Sequence, residues 1–454
     1  MVVKSDKIVN LKDDMESSNY PRLGGSFFTN SYRWLRDPYL LLDTAYAENG
    51  LTFEARLPVV GKVLISGDPD LIQETIRNRH LVGGRGTRAL RPILGDDSLI
   101  ILEGKAHTAR KLLLTASLQP KTLQQYDQLT IESCLREIEQ LPRHSAFSAF
   151  EVVRKVTLRS IILLLFGRLQ QDKQNQISEL INDYMNAFRN PLFLFVKPLQ
   201  QDWGGLSPWG RLLRRRTNLR QFIDTEIDGH RQGHRQSDCL LGRMVEVASN
   251  SSKNISDESI FNELLGLLLF GHDTSAVTMA WLFYHVYSQQ LVLETIQNEI
   301  AGTEHVNNYL GTMQPSYLRS CIMESMRLCP VVVHLTRVAT CETQLGLQML
   351  QTGDKVLPSA YLAQRNPQVF PEPGKFNPAR FLNDEDYGYS FFPLGFGARK
   401  CIGEHLALRQ MQIILYCFVS QTNLELDFGY RARPKRKMLL IGPHSGTLLR
   451  VQDS

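Results

Sequence analysis

Cys401 ends the run Phe391-Phe-Pro-Leu-Gly-Phe-Gly-Ala-Arg-Lys-Cys401, which continues as Ile402-Gly403. Gly395 and Gly397 permit a tight turn and close backbone approach, so several N–H groups can be aimed at one sulfur. The residues that follow predict a helix over Glu404–Val419, whose positive end favours thiolate over thiol. Arg399, two residues before the cysteine, adds positive charge. A sulfur so placed can be a metal ligand or a nucleophile. The plain alternative is a buried structural cysteine beside a glycine turn. A nucleophile needs a base; the nearest histidine is His405, and nothing else resembles an acyl-transfer site.

Three further constellations carry chemistry. Glu324-Ser-Met-Arg327 sets a carboxylate and a guanidinium at i and i+3 on one helical face, a spacing that surface ion pairs also use. Gly271-His-Asp-Thr-Ser275 places a small residue beside an acid and a hydroxyl that can pass protons; an ordinary helix threonine bonding its own i−4 carbonyl is the alternative. Gly104-Lys-Ala-His-Thr-Ala-Arg-Lys111 clusters His107, Arg110 and Lys111, and Arg337 and Arg399 are further cations; singly, each is more often a surface charge. His272, His285 and His334 share no HxxxH or HExxH spacing and read as ordinary polar residues.

These groups need elements to hold them. Residues 1–30 read as an irregular segment punctuated by Pro21 and Gly24-Gly25. Asp37-Pro38 opens a helix to about Glu48, and Leu51–Arg56 with Lys62–Ser66 reads as a hairpin. Asp68-Pro69 starts another helix. From about 105 to 330 apolar residues recur at spacings of three and four, the helical period. Ser256-Asp257-Glu258 reads as a cap with first-turn acids, and no proline interrupts before Ser288. That predicts one helix of roughly 32 residues, about 48 Å long. Pro and Gly cluster over 188–210, and beyond Pro330 short β-like runs and prolines take over. Arg211, Arg214, Arg215, Arg216 and Arg220 read as a solvated helix face, with a partner or membrane patch second. The reading is a mainly α protein with small β-sheets: the irregular segment, then one domain over 31–454.

The segment Leu394-Gly-Phe-Gly-Ala-Arg-Lys-Cys-Ile-Gly403 resembles the haem-thiolate signature of cytochromes P-450, FxxGxRxCxG, through Gly397, Arg399, Cys401 and Gly403. Leu394 departs from the usual phenylalanine. In chain order, Glu324–Arg327 resembles the family's ExxR, Phe376-Asn-Pro-Ala-Arg-Phe381 its FxPxRF, and Gly271–Thr274 its oxygen-activation motif, with Phe270 where the family has Ala or Gly. The resemblance implies a cytochrome P-450 fold with a long central helix over the haem. It implies Cys401 as axial ligand to haem b, donating electron density that favours O–O cleavage, and Asp273 with Thr274 as the proton-delivering pair for O2. Glu324, Arg327 and Arg380 would form a buried triad. His107, Arg110, Lys111, Arg337 and Arg399 would meet the propionates, with Lys111 at the position the family gives to arginine, and Gly271, Gly397 and Gly403 would line the cofactor.

Function then reads as monooxygenation of an apolar small molecule such as a terpenoid, fatty acid or aromatic. Oxidative coupling or peroxide-driven chemistry on the same haem is the alternative, and a haem-based binding or sensor protein is the reading from another class. Substrate would meet Gly83–Leu99, 188–210, 266–274 and Val331–Leu335, through Leu94, Ile100, Phe193, Phe195, Leu267, Phe270, Val332 and Val333. No flavin or iron–sulfur segment is present, so NAD(P)H would act through a reductase and a ferredoxin or flavodoxin. That donor would dock on the cysteine side at Lys111, Lys400 and Arg409.

Composition bounds the rest. The chain has 454 residues, 43% hydrophobic and 21% charged, which excludes a disordered or low-complexity class. A formal charge of +5 argues against a dedicated nucleic-acid binder. No apolar stretch is long enough for a membrane anchor and the polar N-terminus lacks a signal peptide, so a soluble, cytoplasmic monomer is expected. Seven cysteines without CxxC spacing predict free thiols in a reducing compartment.

Overall fold

The structure is a computed structural model. It describes residues 19–452 apart from 59, 117, 120–122, 188–198, 206, 234–238, 251–254, 303–315, 384 and 438. The expected contacts at Phe193 and Phe195 lie outside the described residues. Helices dominate up to Leu328, and short strands dominate after it. The predicted hairpin forms as Thr52–Leu57 against Gly61–Ser66, with Phe53 opposite Ile65. It extends through Lys355–Pro358, Arg337–Ala339 and Leu81–Val82 into a sheet of five strands.

Two expectations change. The N-terminal segment is not irregular to residue 30, because helix Phe27–Arg36 begins inside it. Ser26 accepts from the Thr29 N–H, so the pair Gly24-Gly25 precedes a capped helix start. The basic run on helix Pro208–Arg231 is also not simply a solvated face. Arg216 donates to Glu258 at 3.1 Å and to Asn262 at 2.9 Å, and Arg220 pairs with Asp224 and Glu258. These arginines clamp the helix to the one beginning at Asp257.

The long helix starts as read, with Ser256 accepting from the Ser259 N–H at 3.1 Å. It is nonetheless two helices, Asp257–Phe270 and Asp273–Tyr287, with His272 between them at φ −123° and ψ −46°. Side chains have taken the carbonyls a continuous ladder would use. Thr274 Oγ1 donates to Phe270 O at 2.9 Å, and His272 Nδ1 lies 2.6 Å from Leu268 O. A carbonyl only accepts, so Nδ1 carries the proton.

That interruption falls at a seam in the core. Leu264, Leu265 and Leu268 pack into one apolar cluster with Leu158–Phe166 and Leu219–Ile227. Trp281, Leu282 and Phe283 pack into another with Leu415, Phe418 and Leu357. Helix Ala149–Phe166 crosses the same seam, contributing Val153 and Val156 to the second cluster and Ile161 and Leu165 to the first.

Candidate functional site

A cavity of about 410 Å³ opens beside this seam. Cys401, Ile402, Gly403 and Leu406 form part of its wall from the loop that leads into helix Glu404–Gln421. Gly395 and Gly397 have φ of +77° and +61°, a region closed to most L-residues, so the turn needs both glycines. The turn is closed by Cys401 N–H donating to Leu394 O at 2.9 Å. The surface that Cys401 exposes faces the cavity. Burial pushes its thiol above the ordinary range and Glu404 adds to this, while the Gly403 N–H, Lys111 and Lys400 pull the other way. Desolvation is the largest of these influences. A bound cation would displace the proton.

Positive groups gather next to the sulfur. His107, Lys111, Arg337 and Arg399 all line the cavity. Arg399 donates to the carbonyls of Leu99, Ile100 and Leu102. Lys111 donates to Ala398 O at 2.7 Å and Lys400 O at 3.2 Å, so it fastens the cysteine loop as well. Arg337 donates to Thr336 O at 3.0 Å. None of Lys111, Arg337 and Arg399 forms an ion pair among the described residues. The repulsion is visible: burial and then Arg399 lower Arg337 to about 10, and burial, Arg399 and Lys111 lower His107 to about 4. Glycine makes room for this cluster, since a Cβ on Gly83 would sit 3.2 Å from Arg337 Nη1 and one on Gly84 would be 2.9 Å from Arg399 Nη2.

Leu267, Phe270, Gly271 and Thr274 also line the cavity, as do Ile161, Leu164 and Val332. A Cβ on Gly271 would come within 2.9 Å of Ile161 Cδ1, so glycine lets the two helices close.

Several expected residues sit elsewhere. Asp273 does not line the cavity; its carboxylate lies 2.7 Å from Arg154 Nε and 3.2 Å from His272 Nε2. Burial would raise its pKa, but His272 and Arg154 prevail and hold it at about 2. Arg110 also turns from the cations, donating to Glu263 at 2.7 Å and Asp97 O at 3.2 Å, because a buried carboxylate is the stronger partner. Leu94 and Val333 are buried in the flanking core clusters, and Gly397 shapes the loop without lining the cavity. Of the cations proposed for a donor, Arg409 pairs with Asp127 and Lys400 with Glu404 at 2.7 Å.

The Glu324–Arg327 pair is fully buried and bidentate, at 2.6 and 2.8 Å. Arg380 Nε approaches Glu324 at 3.4 Å, and Arg327 also donates to the carbonyls of Gln364, Pro373 and Lys375. The sequence reading missed Ile161, Leu164 and Glu263 in the wall. For Glu263 the signal was there, since 263, 267, 270, 271 and 274 follow helical spacing along one face.

A family model described as Cytochrome P450 matches residues 59–449. The chain belongs to the cytochrome P450 family. Membership makes it a monooxygenase with haem iron as cofactor. The relative designated cytochrome P450 138 in Mycobacterium tuberculosis is 26% identical over 399 residues, covering 87% of this chain and 88% of that protein. Cytochrome P450 135B1 of the same organism is 23% identical over 448 residues, covering 95% and 90%. Among solved structures, the cytochrome P450DA heme domain superposes with a TM-score of 0.83 at 17% identity, covering 96% of this chain and 97% of that one. The retinoic acid-bound cyanobacterial CYP120A1 gives 0.81 at 20%, covering 95% and 99%.

The residues present suit a haem. A reachable thiol stands beside Lys111, Arg337 and Arg399, which form no ion pair among the described residues, in a cavity walled largely by apolar groups; a dianionic, flat, apolar ligand answers all three. Among the described residues no group of three His, Cys, Asp or Glu could hold a bare metal ion. No described helix is long and apolar enough to cross a membrane.

Proposed function

We propose that this P450 inserts one oxygen atom of O2 into an apolar small molecule, a terpenoid, fatty acid or aromatic, with electrons from a ferredoxin or flavodoxin. The observation that carries this is the cavity itself. It joins Cys401 and the cation cluster to a wall of Ile161, Leu164, Leu267, Phe270 and Val332. Apolar burial supplies the binding free energy for such a ligand, at roughly 25 cal/mol per Å². The retinoic acid held by the cyanobacterial relative is a ligand of this apolar kind.

In this reading the Cys401 sulfur would ligate the haem iron, and Arg337, Arg399, His107 and Lys111 would hold the propionates. Bound haem supplies activation of dioxygen, the thiolate donating electron density to the iron. Thr274 lines the cavity with its hydroxyl donating to Phe270 O; its oxygen can accept a hydrogen bond there, and it would hand on its own proton only as that carbonyl contact opens. Asp273, ionised and held by Arg154 and His272, acts behind it by fixing the helix break that aims Thr274 inward. Phe270 and Leu267 exclude water from the substrate space.

The catalytic unit is assigned to the chain from helix Phe27–Arg36 onward and the working state to a cytoplasmic monomer. With Arg409 and Lys400 already paired, donor docking would draw on fewer free cations than the sequence offered.

Reduction under carbon monoxide tests the reading. The loaded protein should give the red-shifted Soret band of a thiolate-ligated haem, and Cys401→Ala should abolish it. A native preparation without that band, or a variant that keeps it, refutes the assignment.

A further inference from the structure

Glu263 is a buried carboxylate in the wall of an otherwise apolar substrate space. It is 2% exposed and lines the cavity. It stands eleven residues before Thr274, on the helix Asp257–Phe270 that precedes the break at His272. Arg110 Nη1 donates to Oε1 at 2.7 Å, and the Leu99 N–H also bonds the carboxylate.

The surroundings are built, not incidental. The segment around Asp97 is held by polar contacts from two helices: Ser259 Oγ, on the helix of Glu263, donates to Asp97 Oδ2 at 2.9 Å, and Arg110, on helix Gly104–Ala116, donates to Asp97 O. Ser98, 1% exposed and also lining the cavity, lies against Gly266, where a Cβ would come within 3.2 Å of its hydroxyl. Glu263 and Ser98 thus bring a buried carboxylate and a buried hydroxyl to the cavity wall.

The charge there is incompletely compensated. Burial outweighs Arg110 and the Leu99 N–H, and with Asp97 nearby the carboxyl is pushed up to about 7. A further donor reaching Glu263 would be strongly favoured, and a second carboxylate there would be repelled.

Resting on the haem monooxygenase reading above, we propose that Glu263 is the specificity-determining contact for a hydroxyl group on the substrate. The substrate is then an apolar alcohol, its hydroxyl anchored at Glu263 and its far end carried toward Thr274. This selects a hydroxyl-bearing apolar molecule, such as a terpenoid alcohol, and excludes a free fatty acid.

The test uses the haem-loaded full chain at about pH 8, above the Glu263 value of about 7. Decanol, decanoate and decyl methyl ether are titrated by the shift of the Soret band and by calorimetry. Decanol should bind about tenfold more tightly than either of the others, the equivalent of ~1.4 kcal/mol. Glu263→Gln should keep decanol within about threefold and raise decanoate affinity about tenfold, because an amide accepts from a hydroxyl and no longer repels a carboxylate. Decanoate or the ether matching decanol in the native enzyme, or no binding of decanol, overturns the proposal even if the variant fails to fold. A preparation without the thiolate–haem band defeats the underlying reading instead, so the two failures are told apart.

Discussion

Asp273 and Arg154 form an ion pair of 2.7 Å between helix Asp273–Tyr287, which begins at the seam of the core, and helix Ala149–Phe166, which crosses it. With Asp273 turned outward, the neighbouring Thr274 is left facing the cavity. The pair is mostly buried, its side chains 16% and 21% exposed. Removing one partner strands a charge, so Arg154→Leu should cost about 1–3 kcal/mol. Because Asp273 is held near 2, below its unfolded value, its contribution is present above pH ~4 and fades as pH falls toward 2. Urea midpoints for native and variant should therefore differ at neutral pH and converge in acid. A constant gap across that range would show that the pair adds nothing through charge.

Arg327 tests the buried triad more severely. Five donor contacts, two to Glu324 and three to carbonyls of 364, 373 and 375, converge on one fully buried guanidinium. Arg327→Lys keeps the charge and loses the fork, so it should fail almost as badly as Arg327→Ala, by about 3–5 kcal/mol. Circular dichroism melts of both variants decide this. Full rescue by lysine would reduce the triad to a simple charge contact.

The thiolate loop could be read directly because its requirements are local: glycines at positive φ, a cysteine and a following helix within one short run. The triad was readable for a related reason, since Glu324 and Arg327 share a helix and only Arg380 comes from elsewhere. What stayed hidden depends on distant partners. Arg110 turns to Glu263, 153 residues away, and Asp273 turns to Arg154, 119 residues away. No helical period encodes either choice. The break at His272 was equally invisible, because it arises from two side chains competing for carbonyls in a run that lacks proline. Helix Phe27–Arg36 was missed because two glycines before Ser26 read as loop rather than as the approach to a cap.

Arg337 should show opposite effects with and without cofactor. It is buried among other cations, lowered to about 10, and has no ion-pair partner among the described residues, so in the empty protein its charge is unfavourable. Arg337→Met should leave the cofactor-free protein as stable as before or slightly more so. The same change removes a charge-assisted contact to a propionate, and haem loss to a scavenging apoprotein should quicken about tenfold or more. Equal destabilisation of both forms would assign Arg337 a packing role only.

His334 links the cavity wall to acid stability. Its ring stacks on Trp34 with centroids 5.2 Å apart, and neither nitrogen has a hydrogen-bond partner among the described residues. Burial first, and Arg436 second, lower it to about 3, so the folded protein holds a neutral imidazole where the unfolded chain titrates near 6.5. Between those values the unfolded state binds the extra proton, and stability must rise with pH across the window. His107, at about 4, and His285, at about 3, act in the same direction, while Glu263, raised to about 7, opposes them between pH ~4.5 and 7. Comparing native protein with His334→Phe cancels those shared contributions. Phenylalanine keeps the stack and removes two unpartnered polar atoms, so stability near pH 7 should hold or improve by about 1 kcal/mol. Below pH ~6 the variant should lose stability less steeply, by on the order of a few kcal/mol at the acid end. Parallel curves of urea midpoint against pH would mean that the ring finds a proton partner that the fold does not provide.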